Sequence, residues 1–575
     1  MFTSQIVGLL FSSFRRNAAQ IERLTVSHTT RALPITQRPP LQWRAVFSAS
    51  TFVFALSTVM AQIPGTLDTS FGSGTGKVVL PIGQRAELAN ATAIQQDGKI
   101  LLAVSCRDIN SNQVFCAARL NSDGTLDASF TGLSGSGTGT VLVPVGARNG
   151  AYATAIALQA NGKIVLGGYC QDVIGNFDDF CVVRLNSDGS LDTTFRGGTG
   201  KVVQPIGAGY DRASALALQS DNKIIVAGTC TDTTGSNADF CVARLNVDGT
   251  LDASFVGPSG TSNGKFVLPV GTSDDILVGV AVQASDNKIV LLGRCYNGSP
   301  NFCVARLNNN GSLDASFVGP SGSGNGKFLL PIGKKSSDSA AAIAIQADGK
   351  IVLVGFCQGD VSNVFCVARL NVNGAFDTNF VGPNGTPEGK FLLPVAPVLP
   401  SSSDLATAVT LQLDGKIVVA GGCYTNNTVR TFNAFCVVRL NGDGTRDTSF
   451  VGTTGTGKLV LPIVSDNASV NGVVMQQDGK VVLAGYCSTR PLANDLNFCV
   501  ARLIGGPVSV AGCSLDLDGD GLTTATVDGL IATRVMLGLR GPTVIAGITF
   551  PVNATRNSWP AISQYLVSQC GLNVY

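Results

Sequence analysis

Three aspartates near the C-terminal end of the chain have a spacing that suits a hard cation. They alternate with other residues in "LDLDGDGLTTATVDGL". Carboxylates this close repel one another unless a cation neutralises them. Ca²⁺ takes such oxygen ligands from positions 1, 3 and 5 of a short loop, with a carbonyl at position 7. The pattern predicts a Ca²⁺ site made by Asp516, Asp518, Asp520 and the Leu522 carbonyl, with Asp528 closing the shell.

This segment is an EF-hand-type loop and resembles the calcium loop of a dockerin repeat. Asp528 stands at position 13, one residue later than the closing acid of that pattern. No second loop is evident, because "NSWPAISQYLVSQC" reads as a helix capped by Ser558. We therefore predict a small helical calcium-binding module over residues 508–575. An Asp/Gly turn without metal stays open as the alternative, and docking to a partner is not assumed.

The chain offers little else for catalysis. Its one histidine, His28, lies in a segment that we expect to be removed, which excludes Ser-His-Asp triads, Cys-His dyads and His-ligated zinc from the mature protein. Paired carboxylates for glycoside hydrolysis remain available, but no two acids are singled out. A non-enzymatic role is favoured, and a hydrolase or lyase acting on extracellular glycans is the alternative.

The first 61 residues have the features of a targeting segment. They hold six arginines against one acid, and arginines precede the apolar run "AVFSASTFVFALSTVMA", whose end has small-residue cleavage spacing. We expect cleavage near Ala61, no membrane span afterwards, and a secreted, periplasmic or cell-surface location. Without this segment the acidic residues slightly outnumber the basic ones, so no nucleic-acid-binding surface is predicted.

The cysteines agree with export. Of 16, 14 fall into seven pairs, one in each of seven repeated units, and each unit offers two thiols and no histidine. Disulfides in an oxidising compartment fit this better than zinc, which needs four ligands. The predicted pairs are Cys106–Cys116, Cys170–Cys181, Cys230–Cys241, Cys295–Cys303, Cys357–Cys366, Cys423–Cys436 and Cys487–Cys499, with Cys513–Cys570 in the C-terminal module.

The repeat that carries these cysteines is a unit of strands. Variants of "LDxSF" recur at spacings of 59 to 70 residues. Each unit contains four β segments, in the second copy 140–145, 153–159, 163–170 and 180–186, taken in that order. Asp-Gly, Asn-Gly or Asp-Asn pairs join the second and third segments as tight hairpins. The cysteines lie on the third and fourth segments, so we expect a disulfide between directly opposed residues of the outer hairpin.

Seven four-stranded antiparallel sheets arranged radially form a β-propeller. The seventh copy lacks its trailing "LDxSF", whereas an extra "GTLDTSF" begins the mature chain, so the N-terminus can complete the last blade. We predict an all-β, seven-bladed propeller over residues 62–507, with one cross-strand disulfide per blade, followed by the small α-helical module. We expect it to be monomeric.

The phrase "QADGKIVLVGFC…FCVARLNVNGAFDTNF" resembles the delta-60 repeat, a bacterial β-propeller family, over roughly residues 64–505. The resemblance implies an exported propeller and no particular reaction. The paired cysteines are not part of the general pattern of that family.

Two sets of residues could make contacts on this scaffold. The Arg of "FCVxRL" and the Asp of "LDxSF" recur in every copy, so we interpret them as ties within or between blades. The varied connections lie on the opposite face, where ligand contacts are usual. A protein or glycan ligand is expected there, with candidate residues Arg85, Arg148, Tyr210, Arg212, Lys334 and Lys335.

Overall fold

The computed structural model describes residues 63–568 except 81–87, 133–136, 149, 172–176, 233, 261–262, 334–336, 397–402, 427–430, 451–454, 465–466, 489–495, 507–515, 521, 537–538 and 540. The predicted targeting segment, cleavage site and Cys513–Cys570 pair therefore lie outside the described residues. Within them, the chain forms seven four-stranded antiparallel sheets and a small helical C-terminal module.

The sheets are the seven blades of a propeller, numbered here in chain order. The first strand of each blade contacts the first strands of its two neighbours, so these strands form a closed inner ring. The first strands are β2 (Leu88–Ile94), β6 (Ala151–Leu158), β10 (Asp211–Leu218), β14 (Asp275–Val282), β18 (Asp338–Ile345), β22 (Leu405–Leu411) and β26 (Ala468–Met475).

The other strands follow outward in each blade. The second strands are β3 (Ile100–Arg107), β7 (Ile164–Gln171), β11 (Ile224–Cys230), β15 (Ile289–Tyr296), β19 (Ile351–Gln358), β23 (Ile417–Asn426) and β27 (Val481–Ser488). The third strands are β4 (Gln113–Leu120), β8 (Asp178–Leu185), β12 (Asp239–Leu245), β16 (Pro300–Leu307), β20 (Asn363–Leu370), β24 (Thr431–Leu440) and β28 (Leu496–Leu503). The outer strands are β5 (Thr140–Val143), β9 (Lys201–Gln204), β13 (Lys265–Leu268), β17 (Lys327–Leu330), β21 (Lys390–Leu393), β25 (Lys458–Leu461) and β1 (Lys77–Leu80).

Blade boundaries differ from the sequence units. The segment expected to open the second unit is β5, and it pairs with β4 of the preceding blade through Ala117↔Val141. The "LDxSF" link turns the chain back so that the four-residue strand after it covers the free edge of the third strand. Each blade therefore begins one segment later than predicted.

The N-terminus closes the ring as predicted. β1 pairs antiparallel with β28, from Lys77↔Ala501 to Leu80↔Phe498, and supplies the outer strand of blade 7. The tight hairpins predicted at the Asp-Gly, Asn-Gly and Asp-Asn pairs are also present, and they join the first and second strands of each blade rather than the second and third. Asn222 and Asn287 adopt φ values of 64° and 56° where the other blades have glycine at the same turn.

Seven disulfides are present, one in each blade, with the predicted partners. They join the second and third strands, so the expectation of an outer hairpin is wrong. The cysteines are also diagonal: Cys170 faces Asp179, and Cys181 faces Gly168. A Cβ at Gly168 would lie 1.9 Å from the Tyr152 carbonyl oxygen, so the close approach of the first strand reserves the position opposite Cys181 for glycine.

The hydrophobic core lies between neighbouring blades. The phenylalanine of each "LDxSF" is fully buried, and Phe130 packs with Val141 of its own blade and Val183 of the next. Burying such a side chain contributes about 1.5–3 kcal/mol. The repeated phrase therefore supplies a core residue in every blade.

The C-terminal module has its own small core. Its elements are α1 (Asp528–Met536), a 3₁₀ turn (Gly541–Val544) and α2 (Trp559–Ser568). Buried residues from the loop before α1 and from all three elements pack together: Leu517, Val527, Ile531, Val544, Ile562, Tyr565 and Leu566. Among the described residues, no helix is long and apolar enough to cross a membrane.

Candidate functional site

The "LDxSF" links and the hairpin turns between first and second strands lie on one side of the propeller, here called the constant face. Blade 4 shows its chemistry. The Arg306 Nε donates to Asp314 Oδ2 at 2.7 Å, and Lys288 Nζ lies 3.1 Å from the same oxygen. Arg306 also donates through Nη1 to the Val372 carbonyl of blade 5 and stacks 4.3 Å from the Phe317 ring centroid. One guanidinium thus joins two blades.

The same arrangement occurs in all seven blades. The pairs are Arg119–Asp127, Arg184–Asp192, Arg244–Asp252, Arg306–Asp314, Arg369–Asp377, Arg439–Asp447 and Arg502–Asp68. Each arginine is at most 5% exposed and donates to a carbonyl of the next blade. The interpretation of these residues as ties between blades is confirmed. Because Asp68 belongs to the N-terminal segment, the last pair also closes the ring.

A glutamine completes this network and was missed in the sequence. In blade 4 the Gln283 Oε1 accepts from Arg306 at 3.4 Å, and its Nε2 donates to the Gly349 carbonyl of blade 5. A glutamine stands at this point in every copy, two or more residues before the hairpin turn: Gln95, Gln159, Gln219, Gln283, Gln346, Gln412 and Gln476. Its recurrence was the signal that could have found it.

The neighbouring arginine and lysine side chains help to keep these carboxyl groups ionised. Burial alone would raise the pKa of Asp314, but the hydrogen bond from Ser316, the bond from Lys288 and the charge of Arg306 outweigh it and hold the pKa at about 2. Asp252 likewise has a pKa of about 2, with Ser254, Lys223 and Arg244 in the same roles. The arginine, lysine and aspartate side chains of the constant face therefore pair with one another within the propeller.

The other side of the propeller, here called the variable face, carries the connections between blades and the loops between cysteines. Arg85, Lys334 and Lys335 lie outside the described residues. Arg148 is exposed on the connection that leads into β6. Tyr210 and Arg212 lie at the start of β10, where they join side chains of blade 2.

Arg212 is the centre of an aromatic cluster that the sequence did not reveal. Its guanidinium carbon lies 5.4 Å from the Tyr169 ring centroid and 5.3 Å from that of Tyr210. Its Nε is 2.6 Å from Asp178 Oδ2. Phe177 contacts Tyr210 edge to face at 5.0 Å. A fourth ring, that of Tyr152, stacks on Tyr169, also at 5.0 Å.

The cluster is accessible and charged. The side chain of Arg212 is 56% exposed, whereas Asp178 is buried. Burial lowers the pKa of Arg212, but the hydrogen bond and the charge of Asp178 outweigh it and raise that pKa overall. Burial raises the pKa of Tyr169. The Tyr169 phenol therefore stays neutral and the Arg212 guanidinium stays charged at ordinary pH.

Buried acids of the variable face hold chain connections. Asp211, Asp275, Asp338 and Asp404 each accept hydrogen bonds from two backbone N–H groups of the segment that leads into their strand. Burial raises the pKa of Asp211, Asp275 and Asp404. These carboxyl groups shape the connections between blades.

The predicted calcium loop brings three carboxylates together. Asp516, Asp518 and Asp528 each have an oxygen within 4.8 Å of the others, and Asp520 lies outside this group. Asp520 instead accepts from the backbone N–H of Leu522, an exposed residue, at 2.7 Å. Asp528 accepts from the backbone N–H groups of the loop with both oxygens, which fixes its carboxylate at the start of α1.

The carboxylate of Asp518 has the environment that most favours cation binding. It is fully buried, and its Oδ2 has no hydrogen-bond partner among the described residues. Burial first, and then the charge of Asp528, raise its pKa to about 6. A hard cation accepts oxygen ligands of this kind, so the residues fit Ca²⁺.

Residues just before α2 hold the loop from outside, and the sequence did not predict them. Asn553 donates to the Asp520 carbonyl, Thr555 to the Gly519 carbonyl, and the Arg556 guanidinium to the carbonyls of Asp516 and Leu517. Arg556 also stacks 3.9 Å from the Tyr565 ring centroid. The second half of the module therefore fixes the loop backbone with side-chain donors.

Comparison with known proteins bears on the propeller. Six segments match a family model described as "Domain of unknown function (DUF5122) beta-propeller": residues 95–130, 159–195, 219–255, 284–317, 346–380 and 412–450. The repeats are consistent with a β-propeller repeat family. In blades 1 to 3 each matched segment runs from the network glutamine to the "LDxSF" phenylalanine, so it contains the whole set of ties between blades. The matches lie in the propeller, and calcium binding stays a prediction.

Solved structures resemble the chain in fold only, and no curated protein is significantly similar in sequence. Drosophila plexin A in complex with semaphorin 1b has 10% identity and a TM-score of 0.36, over 79% of this chain and 90% of that one. Polysaccharide lyase Uly1 has 11% identity and a TM-score of 0.39, over 78% and 94%. An α-L-arabinofuranosidase from Fusarium graminearum has 9% identity and a TM-score of 0.36, over 62% and 93%. Similarities at this level carry no argument about activity.

Proposed function

We propose that the chain is an exported, non-enzymatic β-propeller that binds a ligand or partner on its variable face, with a C-terminal module stabilised by Ca²⁺. Seven disulfides support folding in an oxidising compartment, because such bonds persist there and are rare in reducing ones. A secreted, periplasmic or cell-surface location agrees with this.

One contrast between the two faces carries the proposal. The arginines of the constant face are buried and donate to the propeller itself, whereas Arg212 on the variable face is 56% exposed and lies among tyrosines. Arginine and tyrosine are enriched in binding surfaces. Tyrosine offers a large contact area with few rotatable bonds, and arginine offers a planar guanidinium with several hydrogen-bond donors.

A glycan hydrolase or lyase is the alternative class. Inverting or retaining hydrolysis needs two carboxyl groups facing each other across the scissile bond. Four buried acids of the variable face, Asp211, Asp275, Asp338 and Asp404, each accept hydrogen bonds from two backbone N–H groups, although Oδ1 of the last three has no hydrogen-bond partner among the described residues. Because each of them fixes a connection of its own blade, this arrangement favours binding over hydrolysis.

Calcium enters the proposal through Asp516, Asp518 and Asp528, which would hold the ion. The ion would supply the positive charge that this buried group of carboxylates lacks. Its effect would be to stabilise the fold of the module, since binding to the folded state alone lowers its free energy.

The test is a panel of immobilised neutral, acidic and amino glycans and of peptides, applied to the purified chain in Ca²⁺. Retention and release of reducing ends are measured together. We expect retention without bond cleavage, unchanged in the constant-face control Asp348→Asn, whose side chain is exposed in a hairpin turn. Cleavage of any glycan, or retention of nothing on the panel, would overturn the proposal.

A further inference from the structure

The sevenfold repeat provides an internal control for the Arg212 cluster. Arg212 is the second residue of β10 and faces the residue before the cysteine of β11, Thr229. The equivalent first-strand residues of the other blades are Leu88, Tyr152, Ile276, Ser339, Leu405 and Ser469, facing Ser105, Tyr169, Arg294, Phe356, Gly422 and Tyr486. These positions differ in nearly every blade. Formation of a blade therefore does not require the residues of the cluster.

Side chains at these positions meet across the boundary of blades 2 and 3 and across that of blades 4 and 5. There the residue before the cysteine in one blade contacts the first-strand residue of the next, as Tyr169 contacts Arg212 and Arg294 contacts Ser339. These positions form a ring around the central end of the variable face. Only at the boundary of blades 2 and 3 do the described residues of this ring place an exposed arginine among several aromatic rings.

The cluster presents donors beside flat apolar surfaces. In the described part of the chain, Nε is the guanidinium nitrogen of Arg212 that donates to protein, and it donates to Asp178. Asp178 is buried, so it orients the guanidinium and leaves the Nη1–Nη2 edge for a ligand. The half-buried rings of Tyr169 and Tyr210 lie beside the guanidinium, and Phe177 contacts Tyr210.

The chemistry of these groups defines a ligand. A guanidinium edge binds a planar carboxylate with two parallel hydrogen bonds, which lysine cannot do. Tyrosine rings pack against apolar faces while their hydroxyl groups bond polar groups. A sugar ring that bears a carboxylate combines an apolar face, hydroxyl groups and that anion.

We propose that Arg212, Tyr169 and Tyr210 form a subsite for a uronate residue of an acidic glycan. This inference rests on the proposed binding function and names its ligand class. The competing role for Arg212 is structural, because its bond to Asp178 joins blade 3 to blade 2.

Binding of short oligogalacturonides to the full chain tests the subsite by calorimetry in a chelator, so that calcium bridging does not contribute. The second probe is the same oligomer with its carboxyl groups reduced to alcohols. The variants are Arg212→Gln, Tyr210→Ala and the matched control Arg294→Gln, which removes an arginine of the same ring outside the cluster. Thermal midpoints of all variants confirm that each is folded.

We expect the oligogalacturonide to bind, with affinity falling at least about tenfold in Arg212→Gln and in the carboxyl-reduced probe, because the bidentate pair is lost. Tyr210→Ala should weaken both probes, and Arg294→Gln should bind as the wild type. Equal binding by wild type and Arg212→Gln, or absence of oligogalacturonide binding, would overturn the subsite. If the glycan and peptide panel still shows retention, the subsite alone fails; if nothing is retained, the proposed function fails as well.

Discussion

The buried carboxylates of the propeller have cationic side chains beside them, whereas those of the C-terminal module lie mainly beside one another. In each blade an aspartate is buried against an arginine and, in most blades, a lysine of the same chain. In the module, Asp516, Asp518 and Asp528 converge with a buried oxygen of Asp518 left without a partner. The pKa of Asp314 is accordingly about 2, and that of Asp518 about 6.

The difference shows what each region needs from its surroundings. The propeller carries its own counter-charges, because both members of the pair are brought together in every blade, including blade 7, where Asp68 comes from the N-terminal segment. The module contains Arg556, but its guanidinium donates hydrogen bonds to loop carbonyls. Its distance from the nearest Asp516 carboxylate oxygen is 4.0 Å. The remaining negative charge of these carboxylates would favour the binding of a cation from solution.

The largest expected effect comes from breaking one propeller pair. Arg306→Gln should lower the free energy of unfolding by about 3–5 kcal/mol, because it leaves Asp314 buried with Lys288 as its remaining counter-charge and removes the donor to the Val372 carbonyl of blade 5. Arg212→Gln should cost less, about 1–3 kcal/mol, because Arg212 is 56% exposed, although the buried Asp178 loses its ion-pair partner. Denaturant unfolding followed by far-ultraviolet circular dichroism measures both. Similar costs for the two variants would contradict the account of the constant face.

The two regions should respond to pH in opposite directions. Since the folded pKa of Asp314 and Asp252 lies near 2, below the ordinary 3.8, their stabilisation is complete above pH 4 and is lost as pH falls toward 2. Asp518 has a folded pKa of about 6, so the calcium-free module should lose stability as pH rises from 4 to 6.

Fluorescence separates the two responses. Of the two tryptophans, Trp43 lies in the segment expected to be removed, and Trp559 packs against the core of the module. In a chain that starts at Gln62, tryptophan emission therefore reports unfolding of the module, while circular dichroism reports mainly the propeller. A module whose calcium-free stability is constant or rises between pH 4 and 6 would show that Asp518 is not destabilised by its neighbours.

A smaller effect is expected at Arg556. Arg556→Gln removes donors from the carbonyls of Asp516 and Leu517 and should destabilise the calcium-free module by about 1–3 kcal/mol. Loss of its positive charge near Asp516 should leave calcium affinity equal or higher. Emission of Trp559 in denaturant measures the first effect and calcium titration the second. Weaker calcium binding in this variant would indicate that Arg556 supports the ion site.

Local patterns predicted much of the fold. The Asp-Gly and Asp-Asn turns, the strands and the cysteine partners are encoded within single units, and the displaced "GTLDTSF" indicated the closure by Asp68 and β1. Features set by neighbouring strands were not predicted. The diagonal position of Cys170 and Cys181 depends on the register between β7 and β8, and the pairing of β5 depends on the free edge of β4.

The candidate sites divide in the same way. The predicted calcium loop is contiguous, so spacing alone indicated Asp516, Asp518 and Asp528, together with Asp520, which lies outside their group. The cluster around Arg212 joins residues from β6, β7, β8 and β10, and the sequence indicated only two of its members. Tyr152 and Tyr169 become neighbours only through strand pairing, and Arg212 only through the packing of two blades.

Calorimetric titration of the chain with Ca²⁺ tests the central contrast most directly. Asp518→Asn removes the negative charge of the carboxylate whose Oδ2 lacks a hydrogen-bond partner, at nearly constant volume. Asp97→Asn, at an exposed propeller turn, is the control. The account predicts one calcium site, lost or weakened at least about tenfold in Asp518→Asn and unchanged in Asp97→Asn, since ligand charge sets calcium affinity. Absence of binding heat, or equal binding by Asp518→Asn, would contradict it.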